Sequence, residues 1–142
     1  MGSIRVLLVG LMVGLGGHAV AGERTEDGWL QIGKNEKGTH YMAPGTVRIS
    51  GQNIRVWELI DIEVARDIGA LQYRSVMTYS EDDCKEARQK LIISIAFTGN
   101  MGRGVPIHAS VKDKWEPVGA EESLSGKRWR AACAKLGELN EQ

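Results

Sequence analysis

The feature that most restricts the fold is a long alternating segment, residues 54–64, which predicts a β-strand. Its even-numbered residues are apolar apart from Glu58, whereas charged and apolar side chains mix on the other face. A second alternating segment, residues 71–79, follows a predicted turn at residues 66–69. Two long strands joined by a short turn favour an antiparallel meander.

Shorter segments of the same kind extend the predicted sheet. We expect strands at residues 29–34, on both sides of the Pro44-Gly45 turn (40–42 and 46–49), at 105–111 and, briefly, at 115–118. Residues 99–104 are rich in glycine, but no Lys-Ser or Lys-Thr follows them, as a phosphate-binding loop requires. We interpret this segment as a wide hairpin loop.

Residues 83–97 allow two interpretations. Apolar residues recur at helical spacing behind an Asp83-x-x-Glu86 capping pattern, which indicates a helix. The run LIISIAF at residues 91–97 is instead typical of a strand. Local rules leave both interpretations open.

Near the C-terminus the apolar period changes to that of a helix. The apolar stripe consists of Trp129, Ala132, Cys133 and Leu136. We predict that the helix ends at Gly137, a residue that often terminates helices. We also expect Trp129 and Leu136 to pack against sheet residues such as Tyr73 and Met77.

The first residues predict export. Arg5 precedes an uncharged stretch, residues 6–17, that is too short to span a bilayer, and Ala19-Val20-Ala21 supplies the small residues that signal peptidase requires. We therefore predict a signal peptide at residues 1–21 and a single mature domain at 22–142, with its core at 29–136. No cysteine lies near the predicted cleavage site, so we expect a mature chain without a lipid anchor or a transmembrane segment.

Cys84 and Cys133 are the only two cysteines of the sequence. An oxidising compartment favours a disulfide between them, which would stabilise the chain by roughly 4 kcal/mol through loop closure. A metal site is disfavoured because no C-x-x-C or H-x-x-x-H spacing accompanies either cysteine. We predict the disulfide and no metal site.

Composition and motifs argue against several functions. Lys plus Arg (18) equals Asp plus Glu (18) and the charges are scattered, so we expect no nucleic acid partner. His40, His108, Ser75 and Ser110 lack the motif of a hydrolase. The acidic run at residues 81–83 lacks the ligand pattern of an EF-hand and is predicted to be a solvated turn. We predict no catalytic residue and no cofactor.

The order of several landmarks resembles a known family. These landmarks are Val56-Trp57-Glu58-Leu59, Tyr73-Arg74-Ser75, Tyr79, Asp83-Cys84, Arg88, Leu91, Met101-Gly102-Arg103-Gly104, Trp115-Glu116-Pro117-Val118, Ser123 and Cys133. Over residues 29–133 the chain is similar to the surface-adhesin protein E family. The resemblance implies an α+β fold in which an antiparallel sheet of about six strands carries a C-terminal helix on one face, tied to it by the disulfide. It also makes the segment around Cys84 a strand.

The resemblance further implies attachment to host extracellular-matrix or plasma proteins, without catalysis. We expect the partner to bind a sheet face or an exposed edge strand, and the candidate binding face contains Arg55, Trp57 and Arg74. A second copy of the chain is a further candidate partner. The missing lipid anchor leaves an alternative, a soluble periplasmic structural or stress-related domain of a Gram-negative bacterium. The periplasm is the expected location, with the cell surface or secretion as alternatives.

Overall fold

The computed structural model describes residues 22–142, so the predicted signal peptide lies outside the described residues. The described chain forms one eight-stranded sheet and a C-terminal helix. The strands are β1 (Leu30–Asn35), β2 (Gly38–Met42), β3 (Arg48–Ser50), β4 (Asn53–Ile68), β5 (Leu71–Asp83), β6 (Arg88–Phe97), β7 (Pro106–Val111) and β8 (Trp115–Pro117), and the helix is α1 (Leu124–Asn140).

Every strand pair is antiparallel, in the order β1-β2-β4-β5-β6-β7. The short β3 pairs with β4, and the short β8 pairs with β6. The antiparallel sheet is therefore confirmed, and the two short strands account for its eight members. This order leaves β1 at one edge of the sheet and β7 at the other.

β4 and β5 form the long central hairpin, in which Trp57 lies opposite Tyr79. Pairing is interrupted by a bulge between Asp61 and Arg66 and then resumes, so the hairpin is longer than predicted. The tight turn contains Gly69, whose φ of 60° suits glycine. The predicted turn at residues 66–69 is thus corrected, because Arg66 still belongs to the strand.

The ambiguous segment is a turn followed by a strand. Asp83 ends β5, and its Oδ1 accepts hydrogen bonds from the backbone N–H groups of Lys85 (3.1 Å) and Glu86 (3.0 Å). An aspartate that binds the backbone in this way stabilises a turn as well as a helix start. The strand interpretation is confirmed from Arg88 onward, but Cys84 itself lies in the turn.

α1 begins after Ser123, whose Oγ accepts a hydrogen bond from the N–H of Gly126 at 3.1 Å. It continues past Gly137 to Asn140, so the predicted end is wrong. The added turn packs Leu139 against the core, and this burial offsets the roughly 1 kcal/mol that a helical glycine costs.

The predicted disulfide is confirmed. Cys84 and Cys133 are bonded with their Cα atoms 5.8 Å apart, and the bond joins positions separated by 49 residues. Cys84 lies in the turn after β5 and Cys133 lies on α1, so the bond ties the helix to the sheet. The whole α+β arrangement implied by the resemblance is present.

The main core lies between α1 and the sheet. Its buried residues are Met42, Val47, Ile54, Val56 and Ala132, and Leu136 packs against them. Met77, in contrast, packs in a second cluster around the buried Leu59 and Trp29, on the other side of the sheet. The expectation that Trp129 and Leu136 meet Met77 is therefore wrong.

The physical reason is that α1 packs on the more polar side of β5, where Arg128 binds Asp82, so the apolar alternation along β5 indicates the wrong side for the helix. Trp129 is half-buried, and its indole N–H donates to the backbone oxygen of Asp83 at 3.3 Å.

Candidate functional site

The helix covers only one side of the sheet. We call the other side the open face; its residues form two rows across four strands, Trp57, Tyr79, Ile93 and Val111, then Leu59, Met77, Ile95 and Ala109. Trp29 and Met101 pack over Leu59, which is 1% exposed. Trp57, Tyr79 and Ile93 remain half-buried, and Val111 is 74% exposed. The open face is an apolar surface that the described residues cover only in part.

Trp57 is held firmly within this face. Its ring lies 4.9 Å from that of Tyr79, centroid to centroid, at a tilt of 31°. Its backbone N–H donates to Thr46 Oγ1 at 3.0 Å, and its carbonyl accepts from the N–H of Ala43 at 2.9 Å. These bonds fix the aromatic pair before any partner arrives.

One end of the open face carries three basic side chains, each of which is paired with a carboxylate. Arg55 Nε lies 3.1 Å from Glu81 Oε2, and Lys90 Nζ lies 3.9 Å from the same oxygen. Asn53 donates to the other carboxylate oxygen at 3.0 Å. Glu81 is buried, while Arg55 keeps 42% of its side chain exposed. Because the buried carboxylate orients it, Arg55 presents its charge in a defined direction.

An aromatic side chain continues this basic end. The Arg88 guanidinium lies 4.7 Å and the Lys90 ammonium 5.0 Å from the centroid of the Trp115 ring. Arg88 also binds Asp83 at 3.0 Å. The backbone N–H of Glu86 and the Arg88 guanidinium lower the pKa of Asp83. We call Arg55, Arg88, Lys90 and Trp115 together the basic end.

The acidic run at residues 81–83 was predicted to be a solvated turn, and this is wrong. Glu81, Asp82 and Asp83 are the last residues of β5, and all three are buried and ion-paired. Basic side chains on neighbouring strands and on α1 form ion pairs with these carboxylates. No local sequence pattern reveals such partners.

The three residues of the candidate binding face do not all meet. Arg55 and Trp57 share the open face at adjacent positions of the β4 pleat. Asp61 points to the same side of β4 as Trp57, and Ser75 lies opposite Asp61, so Ser75 is also on the open face. Arg74 is the neighbour of Ser75 along β5, and alternation therefore places it on the other side of the sheet. Arg74 is exposed there and lies apart from the other two.

The side covered by α1 contains a buried ion cluster. Arg128 Nε lies 2.6 Å from Glu58, and the guanidinium binds both oxygens of Asp82, at 2.7 and 2.5 Å. Ser80 Oγ donates to Glu58 at 2.5 Å. Burial raises the pKa of Glu58, although Arg128 and Ser80 oppose that change. Sequence reasoning missed this cluster, whose one signal was a glutamate on an apolar strand face.

A cleft of about 310 Å³ lies where the start of α1 meets the sheet. Ile60, Leu91 and Leu124 line it, and the mutually bound Glu58 and Arg128 close one end. The charges at this end are thus already satisfied by each other.

Of the residues considered for catalysis, Ser75 and His40 form structural hydrogen bonds, and His108 and Ser110 are exposed on the surface. Ser75 Oγ donates to the Gly99 carbonyl at 2.6 Å and accepts from the Gly102 N–H at 2.8 Å, which fastens the hairpin loop. His40 Nε2 lies 3.0 Å from Asn35 Oδ1, and burial, then Lys37, lowers its pKa. His108 and Ser110 are exposed on β7. No group of three potential metal ligands occurs within residues 22–142.

Three solved structures of Haemophilus influenzae protein E share this fold. Crystal form II of Haemophilus influenzae protein E matches with a TM-score of 0.64 at 14% identity, covering 82% of this chain and 95% of that chain. A second Haemophilus influenzae protein E structure gives 0.63 at 15% identity, covering 80% and 89%. Protein E from non-typeable Haemophilus influenzae gives 0.61 at 17% identity, covering 83% of both chains. These likenesses establish the fold.

A comparison with curated protein sequences finds no match. Within the described part of the chain, the helix that is present is not long and apolar enough to cross a membrane. The family model for surface-adhesin protein E matches residues 29–134, which include both cysteines and all eight strands of the sheet. The chain therefore belongs to the surface-adhesin protein E family.

Proposed function

We propose that this protein is an exported, non-enzymatic binding module that recognises protein partners through its open face. The observation that carries the proposal is the partly exposed apolar row from Trp57 to Val111, with the basic end beside it. Tryptophan, tyrosine and arginine are the residues that most often dominate the energy of protein interfaces. Membership of an adhesin family supports the same role.

The rigidity of the open face also supports binding. Trp57 is fixed by Tyr79 and by two backbone hydrogen bonds, and Arg55 is oriented by Glu81. A surface whose side chains are already ordered loses less conformational entropy when a partner binds. The absence of catalysis is part of the proposal, and it is supported by the structural use of Ser75 in the hairpin loop.

The family indicates an exported protein, and the proposed signal peptide at residues 1–21 is consistent with export. If the protein is displayed at the surface, the partners we propose are host extracellular-matrix or plasma proteins. The second candidate is a soluble periplasmic domain without a host ligand. It is favoured by the sequence Ala-Val-Ala-Gly-Glu-Arg at the proposed cleavage site, which offers no cysteine for a lipid.

Cell fractionation distinguishes these two candidates. Digestion of the protein by protease added to intact cells supports the adhesin. Release by osmotic shock, with protection on intact cells, supports the periplasmic domain. Sedimentation of the purified protein at several concentrations tests the further proposal that a second copy is a partner.

Binding itself is tested by capture of plasma and matrix proteins on the immobilised protein. Trp57→Ala should weaken capture about tenfold or more, because truncation of a central aromatic anchor typically costs over 1 kcal/mol. Arg55→Ala should weaken it less. Arg130→Ala, an exposed arginine on the outer side of α1, is the control and should bind like the unchanged protein. Equal capture by all three variants would refute the proposal.

A further inference from the structure

The two edge strands of the sheet, β1 and β7, differ in whether another segment of the chain forms hydrogen bonds along their outer side. At the β1 edge, the N–H of Gln31 donates to the carbonyl of Glu23 at 3.0 Å, and Arg24 forms a bridge with Leu30. The segment that precedes β1 therefore occupies part of that edge. At the other edge, and counting residues 22–142 alone, β7 pairs with β6 and with no other strand.

Most of β7 also lacks the features that normally protect an edge strand. Its six residues, Pro106–Val111, include no charged side chain. Natural edges are usually guarded by lysine or glutamate, by proline, or by a bulge. Here the proline is the first residue, and the bulge at Ile107 lies next to it. The rest of the strand, residues 108–111, pairs regularly with β6 and contains neither a proline nor a bulge.

The backbone N–H and C=O groups along an unpaired strand edge form hydrogen bonds with the backbone of another extended segment that lies beside them. We propose that β7 accepts an extended segment of a protein partner as an additional antiparallel strand. This inference rests on the proposed function, since it describes how a protein partner is held. The added strand would continue the open face, because Val111 and Ala109 belong to the rows of that face.

The side chains of β7 define the chemistry of the partner segment. Ala109 and Val111 lie on the open-face side, whereas His108 and Ser110 lie on the opposite side. A matching segment alternates apolar residues with small polar ones. Lys112, which also pairs with Glu116, follows Val111, and Lys114 comes after Asp113, so an acidic residue suits the N-terminal end of an antiparallel partner strand.

A synthetic peptide tests the inference without knowledge of the natural partner. The probe is acetyl-Glu-Glu-Thr-Val-Thr-Val-Thr-Val-amide, titrated into the isotopically labelled protein. We expect amide shifts in β7 and in the β6 residues paired with it. The same peptide with alternate backbone nitrogens methylated should bind about tenfold more weakly or worse, since it keeps the side chains but loses donors. No binding, equal binding of both peptides, or shifts centred on α1 would overturn the inference.

Two matched variants, Val111→Glu and Val64→Glu, test whether the peptide binds at the β7 edge. Val111→Glu introduces a negative charge at the edge, beside the acidic end of the peptide, and should weaken binding about tenfold or more. Val64→Glu is the control, because Val64 is 77% exposed against 74% for Val111 but lies in the bulge of β4. It should bind the peptide unchanged. If Val111→Glu does not fold, the methylated peptide still decides the question.

Other outcomes separate this inference from the proposed function. Concentration-dependent dimers that Val111→Glu abolishes, together with no peptide binding, would assign the edge to a second copy and overturn the inference. Capture of a plasma or matrix protein that depends on Trp57 but not on Val111 would overturn it while the proposed function stands. Peptide binding without capture of any protein would support the edge and count against the proposed function.

Discussion

The two sides of the sheet use the same strands for different purposes. On the covered side, α1 seals aliphatic residues such as Ile54 and Val56 and an ion cluster around Arg128. On the open face, Trp57 and Tyr79 stay half-buried. Because neighbouring residues of one strand point to opposite sides, the first half of β4, residues 54–59, contributes both to stability and to the proposed recognition surface. Substitutions on the two sides should therefore separate stability from binding.

The largest effect is expected at the ion cluster. Arg128→Leu leaves Glu58 and Asp82 buried without their cation, and it should lower the free energy of unfolding by about 3 to 5 kcal/mol. Urea denaturation followed by tryptophan fluorescence measures the loss. Arg130→Leu changes an exposed arginine two positions further along α1 and should stay within about 0.5 kcal/mol. Similar midpoints for the two variants would mean that the cluster is not essential to the covered side.

The disulfide should have the next largest effect. Replacing both cysteines, Cys84→Ser with Cys133→Ser, removes the tie between sheet and helix and should cost about 2 to 4 kcal/mol. The unchanged protein in reducing agent is the control and should unfold at the same urea concentration as the double variant. A variant as stable as the oxidised protein would show that packing and the Arg128 cluster hold α1 unaided.

The sequence was sufficient for most of the strands, for the start of the helix and for the disulfide, whereas the segment that contains β6 stayed ambiguous. Alternation predicts β4, and an oxidising compartment predicts the Cys84–Cys133 bond. The helix end was missed because Gly137 is a local signal, whereas the burial of Leu139 is a tertiary effect. The wrong contact between Trp129 and Met77 has a similar origin, since α1 packs on the more polar side of β5, where the tertiary pairing of Arg128 with Asp82 holds it.

The candidate site was predictable only in part. Arg55 and Trp57 share a face because they lie two positions apart on one strand, and that follows from alternation. Arg74 lies on another strand, and its side depends on a register that the bulge between Asp61 and Arg66 alters. Pairings across strands, such as Arg55 with Glu81, depend on the same register and were not visible in the sequence.

The open face should tolerate truncation best where no other segment covers it. Trp57→Ala removes a half-buried ring and should lower stability by about 1 to 2 kcal/mol, because part of its surface is already in water. Leu59→Ala, two residues further on the same face but 1% exposed, should cost about 2 to 5 kcal/mol. A larger loss for Trp57→Ala than for Leu59→Ala would mean that Trp57 is a core residue and would weaken the case for a recognition surface there.

The smallest predicted effect concerns acid. Burial and then Lys37 lower the pKa of His40 from its usual 6.5, so below pH 6.5 the unfolded chain binds a proton that the folded chain does not. His40 therefore reduces stability as the pH falls through this window. Burial raises the pKa of Glu58, so this residue increases stability as the pH falls. Its contribution is the same in the unchanged protein and in His40→Gln. His40→Gln keeps a donor toward Asn35 and removes the titration, so its loss of stability between about pH 7.5 and about pH 5.5 should be smaller than that of the unchanged protein. Urea midpoints at both pH values measure the difference, and an identical loss in the two proteins would place His40 in water rather than against the covered side.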